Sequence, residues 1–166
     1  MTNRRNTIVI MGVSGSGKTS VGKALSDKLG WQFKDADDYH PMVNKEKMRQ
    51  GFPLNDQDRE PWLQILRAKI LSWSQDKIPT ILACSALKQS YREILAEKSP
   101  VTFVYLKTER DVLQKRLESR SHEYMNPALL DSQLSTMEEP DEALVIDGNL
   151  PIDEILVSIV QALGLV

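Results

Sequence analysis

The segment from Gly12 to Thr19, with the sequence GVSGSGKT, constrains this chain most strongly. It matches the pattern G-x-x-x-x-G-K-[ST] of a phosphate-binding loop. The apolar run Thr7–Met11 before it suits a buried strand, and helically spaced apolar residues follow it as far as Gly30. In a strand–loop–helix setting, the backbone N–H groups and the helix N-terminus converge on an anion. The sequence therefore predicts nucleoside triphosphate binding rather than a chance glycine-rich turn.

Each fixed position of this loop has a chemical reason. Glycines permit backbone angles and close approaches that a Cβ would block. Lys18 brings a positive charge to the β- and γ-phosphates, and the Thr19 hydroxyl is a ligand for Mg²⁺. The predicted nucleotide-binding residues of the loop are Gly12, Val13, Ser14, Gly15, Ser16, Gly17, Lys18 and Thr19.

Length and charge narrow the class of protein. The 166 residues suit one domain with a sizeable core. The net charge of −2 leaves no basic surplus that would favour a nucleic-acid or membrane partner. The single cysteine, Cys84, excludes a disulfide framework and fits a reducing compartment. We expect one cytoplasmic domain over residues 1–166.

Extended and helical patterns alternate along the chain, which predicts an α/β fold with a five-stranded parallel sheet flanked by helices. Two helix starts are expected from local signals. Asn44 is predicted to cap a short helix that stops at Gly51, and Pro61 is predicted to open the longest helix. The five predicted strands are Thr7–Met11, Gln32–Asp35, Pro79–Cys84, Val101–Leu106 and Ala143–Asp147.

An acidic stretch follows the second predicted strand and contains Asp35, Asp37, Asp38 and His40. Ligands of open α/β sheets bind at the carboxyl ends of the strands. Side-chain alternation in an extended segment would point Asp35 and Asp37 the same way, with Asp38 facing elsewhere. We therefore expect Asp37 to meet the hydroxyl of a phosphoryl acceptor and Asp35 to lie near the metal. The alternative is an ordinary acidic turn before Pro41.

Basic residues offer a site for an anionic acceptor. Lys88 and Arg92 stand four residues apart on a predicted helix, so they could present paired cations to a carboxylate. Arg59 follows the Asp-rich loop. The alternative for the pair is a solvated basic face.

A second pair, Arg116 and Arg120, precedes the irregular segment 121–127. Cations beside a mobile segment are typical of a lid that closes over a triphosphate and excludes water. The alternative is routine positive charge at a helix C-terminus, where it is favourable to the helix dipole.

Four sequence blocks resemble the gluconokinases of the small P-loop type. Besides the phosphate loop, they are DADDYHP at residues 35–41, PLNDQDREPWL at residues 53–63, and ACSALK at residues 83–88 followed by Tyr91 and Arg92. The resemblance runs from about residue 7 to residue 140. The phosphate loop alone indicates nucleotide binding, whereas the other blocks distinguish gluconokinases from shikimate kinases and nucleoside-monophosphate kinases.

The resemblance implies ATP-dependent phosphorylation of D-gluconate to 6-phospho-D-gluconate, dependence on Mg²⁺ and a homodimer. It also implies a P-loop kinase fold like that of nucleoside-monophosphate kinases, with a lid at about residues 120–128. From the residues discussed above, we expect Lys18, Asp37 and Arg120 to be catalytic. We expect the substrate-binding residues to be Asp37, His40, Arg59, Lys88 and Arg92. Arg116 and Arg120 would contact ATP, and Thr19 and Asp35 would hold the metal.

The lid departs from the family pattern, because Glu123 separates His122 from the aromatic Tyr124. We therefore leave His122 out of the catalytic set. Two other functions remain open: another small-molecule kinase, such as one like shikimate kinase, and a nucleotide-dependent switch. Against the switch, Asn44-Lys45-Glu46-Lys47 lacks the carboxylate that a guanine-binding Asn-Lys-x-Asp element needs.

The Lys18→Ala variant tests the phosphate loop. Lys18 would neutralise charge on the transferring phosphoryl group, so its loss should raise the barrier by several kcal/mol, roughly a hundredfold or more in rate. The thermal unfolding temperature should change little, because a loop side chain that faces solvent adds little to stability. Near-normal turnover by Lys18→Ala would contradict the assignment.

Overall fold

The computed structural model describes residues 7–119 and 127–165, in which strands and helices alternate. Arg120, His122 and most of the predicted lid lie outside the described residues. The strands are β1 (Thr7–Met11), β2 (Gln32–Asp35), β3 (Thr80–Ala83), β4 (Val101–Lys107) and β5 (Leu144–Asp147). The helices are α1 (Lys18–Leu29), α2 (Met42–Arg49), α3 (Asp56–Gln75), α4 (Gln89–Leu95), α5 (Arg110–Glu118), α6 (Leu130–Thr136) and α7 (Ile152–Leu163). The described residues also form two short 3₁₀ turns, Ala36–Tyr39 and Pro127–Leu129.

The five strands form one parallel sheet in the order β2-β3-β1-β4-β5, which confirms the predicted fold class. β1 lies at the centre, with Thr7 in register with Thr80 on one side and Val101 on the other. Because the strands are parallel, the loop after β1 and the turn after β2 emerge at the same edge of the sheet. The fold therefore brings the phosphate loop and the acidic stretch together.

The core lies on both faces of the sheet, as the uninterrupted apolar character of β1 predicts. Ile8 and Ile10 pack on the face that also holds Val21 of α1 and Ile155 of α7. Val9 and Met11 face the opposite way, into a cluster that includes side chains of α3 and α4. α3 and α4 therefore share one face of the sheet, and α1 and α7 share the other.

Glycines end two helices as predicted, but the predicted start of α2 is wrong. Gly30 (φ 70°) follows α1, and Gly51 (φ 87°) follows the last turn of α2. α2 begins at Met42, directly after Pro41, so Asn44 lies inside the helix. Asn44 is 2% exposed, and its Nδ2 donates to the carbonyl oxygen of Asp58 at 2.7 Å. The residue binds a neighbouring segment rather than the N-terminus of its own helix.

The prediction that Pro61 opens α3 is also wrong, because the helix begins earlier, at Asp56. The Asn55 side chain accepts from the Asp58 N–H at 2.8 Å, and Oδ2 of Asp58 accepts from the Asn55 N–H at 3.0 Å. This reciprocal capping satisfies N–H groups at the helix start. Pro61 falls in the second turn, and Arg59 lies on the helix rather than in a loop.

In the described part of the chain, no helix is long and apolar enough to span a bilayer.

The cap of α3 makes a stability prediction. Asn55→Ala removes the side-chain acceptor for the Asp58 N–H and should lower the free energy of unfolding by about 1 kcal/mol. Urea unfolding measures this loss. The exposed neighbour Gln57 provides the control, since Gln57→Ala should change stability by less than about 0.5 kcal/mol. Equal effects of the two substitutions would contradict the capping role.

Candidate active site

The phosphate loop has the backbone geometry that its glycines predict. Gly12, Gly15 and Gly17 have φ values of 149°, 87° and 95°, which side chains other than that of glycine rarely allow. A Cβ on Gly12 would lie 2.7 Å from Oγ of Ser16. Since α1 begins at Lys18, the loop ends at a helix N-terminus, where N–H groups and the helix dipole favour an anion.

Lys18, Thr19 and Asp35 connect this loop to the acidic stretch. Nζ of Lys18 donates to the Val13 carbonyl oxygen at 3.0 Å, so the side chain folds back over the loop. The Thr19 hydroxyl donates to Oδ2 of Asp35 at 3.1 Å. The other carboxylate oxygen, Oδ1, accepts from the Asp37 N–H at 3.0 Å. Both oxygens of Asp35 are therefore fixed beside the loop.

The Thr19 and Asp35 oxygens suit Mg²⁺, which prefers hard oxygen ligands and commonly binds proteins through one or two side chains plus phosphates. Within residues 7–119 and 127–165, no group of three or more His, Cys, Asp or Glu residues could hold a metal by itself. A cation here would depend on the nucleotide's phosphates for further ligands. This donor set fits the predicted metal.

Asp37 lines the same cavity as Asp35 and Lys18, whereas Asp38 is exposed. The sequence argument from strand alternation does not explain this, because β2 ends at Asp35. Asp37 belongs to the 3₁₀ turn Ala36–Tyr39, and the turn gives the two carboxylates their common side. The expected grouping is therefore present, but its physical cause is different.

The pKa of Asp37 is raised to about 6. Burial is the main cause, and the negative charge of Asp35 adds to it, while the positive charge of Lys18 acts in the opposite direction. The carboxylate is thus more basic than an ordinary aspartate and still ionised at neutral pH. A base with these properties suits proton acceptance from a hydroxyl group.

His40 stands against Trp62 in the wall of the cavity. The two rings stack with centroids 4.2 Å apart, and His40 is 7% exposed. Nδ2 of Asn44 lies 3.3 Å from Nδ1 of His40. Because an amide nitrogen can only donate, Nδ1 is the acceptor and Nε2 carries the proton. Burial and the nearby positive charges of Arg59 and Lys45 lower the pKa of His40 to about 3, so the ring is neutral.

Arg59 brings a buried positive charge to this cavity. The residue is 8% exposed, and Nη1 donates to the Tyr91 hydroxyl at 3.1 Å. The ion pairs among the described residues do not include Arg59. The carboxylates of Asp56 and Asp58 interact with its charge without a direct ion pair, so this guanidinium can still receive an anion from outside the chain.

The expected face shared by Lys88 and Arg92 is wrong, because Lys88 precedes the first residue of α4. Nζ of Lys88 contacts Oδ1 of Asp56 at 2.9 Å. Arg92 is 3% exposed and donates to two backbone carbonyl oxygens, that of Ala86 at 2.6 Å and that of Glu138 at 2.8 Å. Neither cation lines the cavity of Asp37 and Arg59. Arg92 instead holds the turn after β3, where Ala86 has a φ of 46°.

Arg116 lies on the other side of the phosphate loop. Nη1 donates to the carbonyl oxygen of Gly15 at 3.1 Å, and Nη2 donates to that of Gly148 at 2.9 Å. The residue lines a groove together with Gly17 and Leu150. This groove adjoins the loop near the start of α1, where a nucleotide could extend from its phosphates.

Three residues of the site were not predicted from the sequence. No pattern in the sequence indicated that Trp62 stacks on His40, and Asn44 was predicted to cap a helix. Gln133 of α6 accepts from the Ser14 N–H through Oε1 at 2.7 Å. The two residues are 119 positions apart, so no local pattern could reveal the contact.

The raised pKa of Asp37 predicts a stability change. Its folded value of about 6 exceeds the ordinary 3.8, so the folded protein binds more protons between these values and loses stability as the pH rises through them. Asp37→Asn has no charge to bury and should therefore be more stable than the unmodified protein above pH ~6, with the difference shrinking towards pH ~4. Urea unfolding without nucleotide or Mg²⁺ measures this.

The control for that experiment is Asp38→Asn, which removes an exposed carboxylate one residue away. It should show no comparable pH-dependent gain in stability. A loss of stability in Asp37→Asn at pH 8 would show that the ionised carboxylate is stabilising and that the pKa shift has the opposite sign.

Comparison with known proteins agrees with this geometry. The family model described as shikimate kinase matches residues 14–146. A probable gluconokinase from Xenopus tropicalis is 48% identical over 149 residues, which cover 80% of this chain and 78% of that protein. The thermoresistant gluconokinase of Escherichia coli K12 is 38% identical over 93% of this chain and 91% of its own length.

A solved structure shows the same likeness in three dimensions. The crystal structure of a gluconokinase from Sinorhizobium meliloti 1021 superimposes with a TM-score of 0.85 at 39% sequence identity. The alignment covers 96% of this chain and 92% of that chain. On the strength of these matches over most of its length, the chain belongs to the gluconokinases within the broader shikimate kinase family.

Proposed function

We propose that this protein transfers the γ-phosphoryl group of ATP to the primary hydroxyl of D-gluconate and forms 6-phospho-D-gluconate. One observation carries the proposal. The cavity beside the phosphate loop contains both a carboxylate suited to accept a proton, Asp37, and a buried cation that forms no direct ion pair among the described residues, Arg59. An acceptor that joins a hydroxyl group to an anionic group matches both features. Its gluconokinase relatives support gluconate as that acceptor.

The phosphate loop binds and orients the triphosphate. Its N–H groups and the start of α1 face the anion, and Lys18 brings a positive charge to the γ-phosphate side. The charge of Lys18 also acts on Asp37, which indicates that the two side chains are close. The transferring group would then lie between the loop and the acceptor, where catalysis depends mainly on position and electrostatics.

Mg²⁺ is the proposed cofactor, and Thr19 and Asp35 would hold it. When bound, it would neutralise charge on the β- and γ-phosphates. The protein's own part is to keep these oxygens in place, through the bonds of Asp35 to the Thr19 hydroxyl and the Asp37 N–H.

Asp37 is the proposed acceptor-side base. Its carboxylate orients the primary hydroxyl of gluconate and takes the proton as the new P–O bond forms. The bond between the γ-phosphorus and the bridging oxygen breaks, and ADP leaves. Because a late proton transfer needs geometry more than strong basicity, a pKa near 6 is adequate.

His40 and Arg59 are the proposed contacts of the rest of the acceptor. The Arg59 guanidinium can donate two parallel bonds to the carboxylate of gluconate. Neutral His40 offers Nε2–H to a hydroxyl group, and the stacked Trp62 holds the ring in place. Lys88 and Arg92 were expected to contact substrate as well, but their bonds to Asp56 and to backbone carbonyls favour supporting roles.

Arg116 is proposed to contact the nucleotide in the groove beside Gly17, and Arg120 to reach the phosphates from the lid. We further propose one domain that works in the cytoplasm, because a single buried cysteine, Cys84, fits a reducing compartment.

A homodimer is proposed from the family resemblance. Val145 of β5, at the edge of the sheet, is 51% exposed and is a candidate for the contact. Sedimentation velocity measures the oligomeric state.

A coupled assay of ADP release tests the proposed activity. The panel should contain D-gluconate, other aldonic acids, the neutral polyol sorbitol, and shikimate. Release should depend on added gluconate and be weak with sorbitol, which lacks the anion that Arg59 would bind. Turnover that requires shikimate would indicate the alternative kinase, and hydrolysis independent of any acceptor would indicate a nucleotide-dependent switch.

Asp37→Asn tests the catalytic base. It keeps the shape of the side chain and removes the proton acceptor, so kcat should fall roughly a hundredfold or more while ATP affinity changes little. The activity of the unmodified enzyme should also decline at acid pH, where Asp37 takes up a proton. This decline should occur at or below a pH of about 6, because bound Mg²⁺ would lower the pKa of this carboxylate from its metal-free value. Steady-state kinetics against the exposed Asp38→Asn control measures both effects. Greater damage in Asp38→Asn would move the base by one residue.

A further inference from the structure

Tyr91 is the direct partner of Arg59. Its hydroxyl accepts from Nη1 of Arg59 at 3.1 Å, and the guanidinium carbon lies 5.5 Å from the centre of the Tyr91 ring. Tyr91 is 3% exposed, so water competes little for these contacts. A single side chain thus holds Arg59 through both its ring and its hydroxyl.

The hydroxyl of Tyr91 also donates to Oδ1 of Asp56, the first residue of α3. An ionised carboxylate can only accept, and a guanidinium can only donate. The hydroxyl proton must therefore point to Asp56, which leaves the oxygen lone pairs for Arg59. This arrangement fixes the direction of the bond as well as its distance.

Lys88 contacts the same carboxylate. Its Nζ contacts Oδ1 and Oδ2 of Asp56 at 2.9 and 3.2 Å. The hydrogen bond of Tyr91 and then that of Lys88 lower the pKa of Asp56. Asp56 is thereby bound to Lys88 and Tyr91 and does not pair with Arg59, although both belong to the first turns of α3. The Arg59 guanidinium is therefore not in a direct ion pair with Asp56, although the negative charges of Asp56 and Asp58 are near enough to act on it.

We propose that Tyr91 is a positioning residue that sets the selectivity of this enzyme for an acceptor with a carboxylate. It acts through Arg59, while Asp56 and Lys88 hold its hydroxyl in the required orientation. This inference rests on the proposed function, because it concerns how the same cavity recognises the anionic end of gluconate. It also gives Lys88 an indirect role in place of the direct substrate contact expected from the sequence.

Tyr91→Phe tests this role, because it keeps the ring and removes the hydroxyl. Binding of gluconate, measured by calorimetry with a non-hydrolysable ATP analogue, should weaken about tenfold, the effect expected when a hydrogen bond to a charged group is lost. The KM for ATP should stay within about twofold. The preference for gluconate over sorbitol in kcat/KM should fall by a similar factor.

Tyr105→Phe is the matched control. Tyr105 is also buried, at 7% exposure, but it lies on β4, whereas the Arg59 side chain donates its hydrogen bond to Tyr91. Removing its hydroxyl should leave both gluconate affinity and the KM for ATP within about twofold of the unmodified values. Thermal unfolding of both variants identifies any general loss of structure.

A double-mutant cycle separates positioning from a structural effect. In an Arg59→Met background, Tyr91→Phe should change kcat/KM for gluconate by less than about twofold, because the residue through which it acts is gone. A full tenfold loss in that background, an equal loss for ATP and gluconate, or unchanged gluconate binding would each overturn the inference. Absence of gluconate-dependent ADP release from the unmodified protein would instead overturn the proposed function.

Discussion

The carboxylate of Asp35 joins the two parts of the site. One oxygen accepts from the Thr19 hydroxyl at the start of α1, and the other accepts from the Asp37 N–H in the turn after β2. The strand order places β3 between these segments, so they are not neighbours in the sheet. Asp35 therefore sets the position of the proposed base relative to the phosphate loop, and the geometry of transfer depends on it.

The site keeps three ionisable groups in unusual states, and each has a use. Burial makes Asp37 more basic and keeps His40 neutral, and Arg59 is a buried guanidinium that forms no direct ion pair among the described residues. Burying such ionisable groups away from water lowers the free energy of unfolding of the substrate-free protein. A bound acceptor would supply the missing anion and hydroxyl, so these groups are arranged before the substrate arrives, as electrostatic catalysis requires.

Local patterns in the sequence predicted the sheet, the phosphate loop and the acidic turn, because each depends on neighbouring residues. The helix starts at Asn44 and Pro61 were wrong since earlier signals, Pro41 and the Asn55–Asp58 pair, act first. The orientation of side chains was harder to predict. Lys88 and Arg92 do not share a helix face, because Lys88 precedes the first residue of α4. The contact between Ser14 and Gln133 joins distant parts of the chain.

The position of phosphorylation tests the central claim most directly. If the cavity holds the carboxylate at Arg59 and the primary hydroxyl at Asp37, the phosphoryl group should be attached to carbon 6 of gluconate. NMR of the product from uniformly ¹³C-labelled gluconate and ATP should then show ³¹P coupling to carbon 6 and its neighbour. Coupling to a secondary carbon, or release of inorganic phosphate without a labelled product, would contradict the account.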